Sequence, residues 1–480
     1  MKNLRKNLSL ILIFAVFLRL FTMLIFPLTD TTEARYGEIA RKMLETNNWI
    51  TPQHAYGVPF WAKPPLSTWC SAISMKIFGV NEFAARLPSL FFMLGITWLT
   101  WYLSNTRYRK DFALLSIVIL FTFPMFFITA GAVMTDASLA FCVTLAFTAF
   151  WLGINENFKK MQNLYGYLFF LALGLGMLAK GPICLVLIIP PILIWQFLQK
   201  DWQRFWSFLP LVKGTILMLI IFTPWYIVAE HRTPGFLNYF IIGEHFNRFL
   251  IPGWTGDQYG YAHKQPFGMI WGFMFISIFP WSLVIIYWLW KKCNLKTLFK
   301  QNEDKDGWAI YLFCWVIWPL VFFSMARNII ITYVITMLPP LALLIIEIWS
   351  KDKSSASNNK WLSMSLLIPI LTISGVMIVT AYNLNLSTSN TQKLVAQKYF
   401  ELRSSDQSQL YYYPKRIYSA EFYTDGLAKN TRDIKEIRNL INNDTKDFIV
   451  IKEGKSLPKE VAKYFMPIGT FSGYILLEEI

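Results

Sequence analysis

Charged side chains with possible chemical roles gather in short stretches between long apolar runs. The first stretch carries Asp30, Glu33 and Arg35 directly after the first apolar run. Carboxylates at such a position can act as general bases, and arginine binds phosphate or carboxylate groups. The spacing of Asp30 and Glu33 is also that of a capping box, in which both side chains satisfy amides at a helix start. A catalytic and a structural role therefore both remain open for these two carboxylates.

Two further stretches place single charges beside apolar runs. Lys63 precedes two prolines on a segment that is expected to be stiff and extended, so its ammonium could bind a phosphate or simply reach the membrane surface. Asp136 lies at the end of an apolar run, where a carboxylate is costly unless it is paired or functional. Asp136 is thus a candidate catalytic residue, with a helix cap as the alternative.

More cations are predicted on the same side of the membrane. They are Lys180, Arg248 and Arg327, with Tyr333 beside the last of them. Each residue alone could anchor the chain at the lipid headgroups. Collected around the carboxylates, they could bind an anionic lipid substrate. The four histidines match no standard metal motif, so no metal-binding residues are predicted. Whether the protein uses a divalent metal as a cofactor is left open.

The composition indicates a polytopic membrane protein. Of 480 residues, 55% are hydrophobic and 15% are charged, with a mean hydropathy of +0.40. A soluble domain has roughly 25% charged residues. The net charge of +16 lies largely in short loops, which is the positive-inside pattern and does not indicate nucleic-acid binding. Eleven apolar runs are candidate spans, at about 8–28, 84–104, 111–130, 137–153, 163–179, 182–199, 208–229, 268–290, 308–325, 330–349 and 361–381.

The basic short loops predict a cytoplasmic N-terminus and an outer C-terminus. Residues 1–381 are then a transmembrane catalytic domain with long outer loops at 29–83 and 230–267, and residues 382–480 are a small extracytoplasmic α/β domain. The segment after the first span has apolar residues at helical spacing, which predicts an amphipathic helix on the membrane surface. We expect the charged residues above to meet at the outer membrane face.

Several of these segments resemble the bacterial relatives of the dolichyl-phosphate-mannose protein mannosyltransferases, and most of all the lipid A aminoarabinose transferases. The matching pieces are Thr32-Glu-Ala-Arg-Tyr-Gly-Glu, Lys63-Pro-Pro-Leu, Asn81-Glu-Phe-Ala-Ala-Arg-Leu-Pro, Thr135-Asp136, Ala179-Lys-Gly-Pro182, Glu244-His-Phe-Asn-Arg-Phe and Leu338-Pro-Pro-Leu. The chain departs from the family at Thr32, where an aspartate is usual, and at Ala62, where a glutamate is usual.

The resemblance implies an all-α GT-C type fold of about eleven transmembrane helices. It implies an inverting glycosyltransferase that moves a sugar from polyprenyl (undecaprenyl) phosphate to an envelope acceptor, with lipid A phosphate expected, at the periplasmic face of the inner membrane. Lys63 and Arg248 would lie near the carrier phosphate, with Arg35 and the acidic residues at the reacting centre. The alternatives are a protein O-mannosyltransferase-like enzyme with a Ser/Thr acceptor, or a membrane transporter or flippase. The sugar is not predicted.

Overall fold

The computed structural model describes residues 2–292, 306–351, 375, 390–441 and 445–480. Within these ranges it contains seven helices long and apolar enough to cross a membrane, or eight if a bent pair counts as one span. The bent pair is Met269–Ser277 with Trp281–Tyr287, whose axes differ by 108°. The seven are Arg5–Ile25, Glu82–Arg107, Thr135–Ile154, Lys159–Lys180, Leu211–Arg232, Trp308–Met325 and Ile331–Ser350. The chain is a multi-pass membrane protein, as predicted.

Three of the eleven predicted runs take another form, and one lies outside the described residues. The run at 111–130 is divided into the helices Lys110–Phe121 and Pro124–Thr129, because Pro124 has no amide hydrogen with which to continue the first helix. The run at 182–199 is the shorter helix Ile183–Gln199. The run at 268–290 is the bent pair, and the run at 361–381 falls almost wholly outside the described residues.

The helices pack around Thr135–Ile154, the most buried of the spans. It contacts Glu82–Arg107, Gln162–Lys180 and Ile183–Gln199 along the bundle. Aromatic side chains fill the middle of this core, where the rings of Phe147 and Trp315 stack 4.2 Å apart. Such stacked pairs add to the stabilisation that comes from buried area. This rigid core fixes the starts and ends of the helices that carry the charged residues.

The other described helical segments are shorter. They are the helices Thr32–Glu45 and Leu66–Phe78, the 3-10 helix Glu156–Met161, the helix Trp202–Phe208, the π-helix Asn238–Asn247 with Arg248–Leu250, and the tail helices Lys393–Leu402, Tyr418–Tyr423, Ile434–Leu440 and Lys459–Ala462. The span Ile331–Ser350 itself consists of the 3-10 helix Ile331–Met337 and the helix Leu338–Lys351.

The helix Thr32–Glu45 forms where predicted, but it does not lie with its charged side open to water. Glu38, Arg41 and Lys42 are buried on it, because the tail helix Tyr418–Tyr423 covers that side. Lys42 Nζ lies 2.9 Å from Glu38 and 2.5 Å from Glu421 of the tail helix. Opposite charges on the two helices therefore allow the charged side of Thr32–Glu45 to be buried.

The tail contains a five-stranded sheet, which agrees with the predicted α/β architecture. The strands are β3 (Leu410–Tyr413), β4 (Ala428–Asn430), β5 (Phe448–Lys452), β6 (Phe465–Phe471) and β7 (Tyr474–Glu479), in the order β4-β3-β5-β7-β6. β3 is parallel to β4 and β5, and β7 is antiparallel to β5 and β6. A two-stranded antiparallel ribbon of β1 (Gln53–Ala55) and β2 (Val58–Pro59) precedes Lys63. The tail boundary at residue 382 lies outside the described residues and stays a prediction.

Candidate active site

One cavity of about 440 Å³ brings together five of the nine charged or polar residues predicted from the sequence. They are Lys63, Asp136, Lys180, Arg248 and Tyr333. The remaining wall is largely apolar and includes Leu139, Ile183, Val186, Leu187, Phe246, Phe249, Leu250, Phe322 and Phe323. A cavity with cations on one side and an apolar wall on the other suits a ligand that carries an anionic head on an apolar chain.

Glu244 lies between two of the cations. Its carboxylate is 2.9 Å from Lys63 Nζ and 3.0 Å from Arg248 Nη1. Burial alone would raise the pKa of Glu244, but the nearby charges of Lys63 and Arg248 outweigh it and lower the pKa to about 2. Glu244 is therefore ionised at any physiological pH, and it holds both cations at one point of the cavity wall.

Glu244 stands on a π-helix, Asn238–Asn247, and Arg248 begins the short helix Arg248–Leu250 that follows it directly. The π-helix is rare and occurs often at functional sites. The segment packs closely against Gly181, where an added Cβ would lie 2.5 Å from Phe240 and where φ is +81°. Glycine accommodates both the left-handed backbone and the close approach. His245 adds contacts with the carbonyl oxygens of Phe240 (2.8 Å) and Lys180 (3.3 Å).

Lys180 and Asp136 form the second charged group of the cavity. Lys180 ends the helix Gln162–Lys180, Asp136 lies in the first turn of Thr135–Ile154, and Nζ lies 2.6 Å from Oδ1. Lys180 Nζ also lies 4.7 Å from the centre of the Tyr333 ring, which is a favourable cation–π arrangement. The helix begins at Thr135 after Met134, and Asp136 makes no side-chain cap there. The alternative of a simple helix cap is therefore wrong for Asp136.

The outer loop 252–268 holds Arg248 from the other side. Asp257 Oδ2 lies 3.3 Å from Arg248 Nη1. Asn328, which is 5% exposed, donates hydrogen bonds to the carbonyls of Arg248 (2.5 Å) and Ile251 (2.7 Å) and accepts one from the Gly253 amide (2.9 Å). Asn328 therefore fixes the backbone on which Arg248 stands.

The other two predicted carboxylates lie away from this cavity. Asp30 accepts hydrogen bonds from the amides of Tyr418 and Ser419 and from the Ser419 hydroxyl, so it ties the first outer loop to the tail. Burial raises the pKa of Asp30 to about 6, although these hydrogen bonds oppose the shift. The helix begins at Thr32 with Thr31 before it, so the predicted capping box between Asp30 and Glu33 is not formed.

Glu33 pairs with Arg86, at 2.8 Å from Oε1 to Nε and 2.9 Å from Oε2 to Nη2. Arg86 also donates to the carbonyls of Met23, Phe26 and Pro27, where the first span ends. Glu33 thereby joins the outer helix to two spans. The catalytic role predicted for Asp30 and Glu33 stays a prediction, and the contacts favour a structural one.

Arg35 and Arg327 are the two predicted substrate-binding residues that do not line the cavity. Arg35 Nη1 donates to the Tyr259 carbonyl at 2.7 Å, in the same outer loop that contacts Arg248. The Arg327 guanidinium lies 4.0 Å from the centre of the Phe267 ring, and its amide donates to the Phe249 carbonyl at 3.0 Å. These contacts are those of a residue that fastens the outer loop, and substrate binding by Arg327 stays a prediction.

Sequence reasoning missed Glu244, Asp257 and Asn328 as members of the site. Glu244 stands four residues before Arg248, which is the spacing of an ion pair on one helix face, so this signal was present. Nothing local to Asp257 or Asn328 indicates that they meet Arg248. Within the described residues, no group of three or more His, Cys, Asp or Glu side chains is arranged to hold a metal ion.

The fold is a multi-span bundle of GT-C type, with a charged cavity lined by the ends of its helices. Two structures of ArnT from Cupriavidus metallidurans, one in the apo state and one bound to undecaprenyl phosphate, have the same fold. Each covers 98% of this chain, with TM-scores of 0.79 and 0.78 at 16% and 15% identity, and the chain covers 97% and 98% of them. An oligosaccharyltransferase from Archaeoglobus fulgidus matches less closely, with a TM-score of 0.51 at 13% identity, covering 98% of this chain and 74% of that one.

The predicted family resemblance is confirmed by sequence comparison. The model of the dolichyl-phosphate-mannose-protein mannosyltransferase family matches residues 8–240. Two relatives named undecaprenyl phosphate-alpha-4-amino-4-deoxy-L-arabinose arabinosyl transferase come from Enterobacter sp. strain 638 and Aeromonas salmonicida. They are 30% and 31% identical over 349 and 350 residues, which is 72% and 70% of this chain. The chain spans 59% and 60% of the length of these relatives.

Proposed function

We propose that this protein is a glycosyltransferase that moves a sugar from polyprenyl (undecaprenyl) phosphate to an envelope acceptor, with lipid A phosphate as the expected acceptor. The reaction takes place at the periplasmic face of the cytoplasmic membrane, where the C-terminal tail also lies. The observation that carries the proposal is the single cavity that joins Lys63, Lys180 and Arg248 to an apolar wall. The names of the similar arabinosyl transferases support the same carrier.

The cations supply what a lipid-phosphate donor requires. In the transfer, the bond between the anomeric carbon and the phosphate oxygen breaks, and its electron pair leaves with polyprenyl phosphate. The acceptor oxygen forms the new bond to the anomeric carbon, and a single displacement inverts the configuration there. Lys63 and Arg248 stabilise the charge that develops on the leaving phosphate, because fixed charges act strongly where water is excluded.

The carboxylates of the cavity favour an acceptor that is already ionised. Asp136 is paired with Lys180, and Glu244 is paired with Lys63 and Arg248. A Ser/Thr hydroxyl acceptor must give its proton to a base, and a carboxylate engaged by two cations is a weak base. A phosphate acceptor needs no such step, since its oxygen is ionised before the reaction. Asp136 then serves to orient Lys180 and to balance its charge.

Mass spectrometry of lipid A and of envelope glycoproteins from a deletion strain tests the proposal. We expect the lipid A species that carries a sugar on its phosphate to disappear, and to return when the parent protein is supplied. If lipid A is unchanged and the glycoproteins lose a sugar, the acceptor is a Ser/Thr hydroxyl and not lipid A. If neither changes while a lipid-linked sugar accumulates on the inner side, transport is the better description.

A further inference from the structure

A second group of charged and aromatic residues contacts Tyr259, in the loop that also contacts Arg248. It consists of Arg35 on the outer helix, His54 on β1, and Arg416 and Tyr418 from the tail. Arg35 and Arg416 lie over the Tyr418 ring at 6.0 Å and 4.9 Å from its centre, and the His54 ring meets Tyr418 at 5.7 Å. We call these four residues the tail cluster.

Arg35 differs from its neighbours in having no acidic partner among the residues that the structure describes. Nearby arginines are each paired with a glutamate: Arg41 with Glu38, Arg86 with Glu33 and Arg416 with Glu421. In addition, Arg35 Nε and His54 Nδ1 are buried atoms that lack a hydrogen-bond partner within the described part of the chain. Leaving buried polar atoms without partners is costly, so these two atoms provide unused hydrogen-bonding capacity for a ligand.

The surroundings of His54 are positively charged. Burial, with the nearby charges of Arg416 and Arg35, lowers the pKa of His54 to about 3, although Glu421 opposes the shift. Lys42 also contributes positive charge at this position. His54 is therefore neutral, with a ring nitrogen able to share a proton with a ligand. Arg35 Nη1 already donates to the Tyr259 carbonyl, so an anion here would meet the remaining donors of the Arg35 guanidinium, a group whose planar geometry suits phosphate.

The tail cluster is built into the fold, since several contacts hold the tail helix in place. Asp30 accepts from Tyr418 and Ser419, Glu421 pairs with Lys42, and the Arg416 guanidinium donates to the His54 carbonyl at 2.6 Å. The cluster is also connected to the cavity. Arg35 contacts Tyr259, and Asp257, two residues earlier in the same loop, contacts Arg248.

From these contacts we propose that the tail cluster binds a phosphate monoester on the acceptor lipid, with Arg35 as its main anchor and with Arg416, Tyr418 and His54 as its walls. This inference rests on the proposed function, because it assigns the acceptor side of the same reaction. It gives the tail a direct part in acceptor recognition, beside the loop whose Asp257 contacts Arg248 and whose Tyr259 contacts Arg35.

The test is binding of lipid A to the purified full-length protein without any donor. Lipid A with both phosphates is compared with lipid A from which both phosphates have been removed, and inorganic phosphate is titrated separately. We expect the parent to bind the phosphorylated form at least tenfold more tightly, and Arg35→Gln to lose that preference. Arg35→Lys should recover it only in part, since an ammonium lacks the planar fork. Tyr418→Phe is a second variant that retains the packing and should weaken the preference less.

Arg403→Gln is the matched control, because Arg403 is a tail arginine whose ion pair is with the exposed Asp406. It should retain the full preference. Equal binding of both lipid forms by the parent, or an undiminished preference in Arg35→Gln, would overturn the proposal. Inorganic phosphate that binds as tightly as lipid A would overturn the assignment to a lipid. Binding of undecaprenyl phosphate is measured in parallel and should be the same in Arg35→Gln as in the parent. If the parent does not bind undecaprenyl phosphate, the donor cavity is refuted, while the result for the acceptor remains valid.

Discussion

Lys180 and Asp136 meet where one transmembrane helix ends and another begins, with Nζ 2.6 Å from Oδ1 and both residues less than 10% exposed. Removing one member of a buried pair leaves an uncompensated charge and costs about 3–5 kcal/mol. Asp136→Asn and Lys180→Met should therefore each lower the unfolding temperature, and the double variant should lower it by less than the sum of the two single decreases. The double variant should recover part of the stability but none of the transfer activity. Thermal unfolding of the three variants in detergent measures this coupling, and strictly additive losses would contradict it.

Lys63 and Arg248 should determine donor affinity. Loss of a charge-assisted hydrogen bond costs about 1.5–3 kcal/mol, which corresponds to a decrease in affinity of about 10- to 150-fold. Lys63→Gln and Arg248→Gln should show this decrease for undecaprenyl phosphate. Lys76→Gln and Arg232→Gln are matched controls, because both residues are exposed near helix ends on the predicted outer side. Equal donor affinity in the parent and in both cavity variants would contradict the assignment.

Glu33 and Arg86 should be required for folding rather than for chemistry. Glu33→Gln removes the charge that Arg86 faces at the end of the first span, so the yield of folded protein should decrease. The folded fraction should retain nearly the parental turnover number. Size-exclusion yield combined with turnover per folded molecule separates the two effects. A normal yield with a decrease in turnover of 10²-fold or more would instead support the catalytic role predicted from sequence.

Asp30 should make stability depend on pH in the mildly acidic range. Its folded pKa of about 6 is raised above the ordinary value of 3.8, so the folded state favours the protonated form. This contribution is fully present below the ordinary pKa and is lost as pH rises through about 6. As the pH rises from the ordinary pKa of 3.8 through about 6, the parent should therefore lose unfolding temperature relative to Asp30→Asn, which has no charge to bury. Equal pH profiles for the two proteins would contradict this account of Asp30.

Much of the fold follows from the sequence because hydropathy and length determine which segments can span a membrane. Seven of the eleven predicted runs are long apolar helices. The division at Pro124 and the bend between Ser277 and Trp281 are less evident, because both segments are apolar throughout. Hydropathy therefore shows no break at either position.

Part of the site could also be predicted from hydropathy. Lys63, Asp136, Lys180 and Arg248 stand beside apolar runs, where any charge is conspicuous. Asp30 and Glu33 look equally conspicuous, but their partners Ser419 and Arg86 are distant in the chain and could not be inferred from local spacing. The tail helix was also not predicted, since its six residues carry no clear period.

Reconstituted transfer tests the central claim most directly. Purified parent protein would be incubated with undecaprenyl-phosphate aminoarabinose and lipid A, and both products would be measured by mass spectrometry. We predict that lipid A gains one sugar without an additional phosphate, that free undecaprenyl phosphate appears in equal amount, and that Arg248→Gln slows both at limiting donor while Arg232→Gln does not. No transfer by the folded parent, or a gain of sugar together with phosphate, would contradict a cavity that releases polyprenyl phosphate.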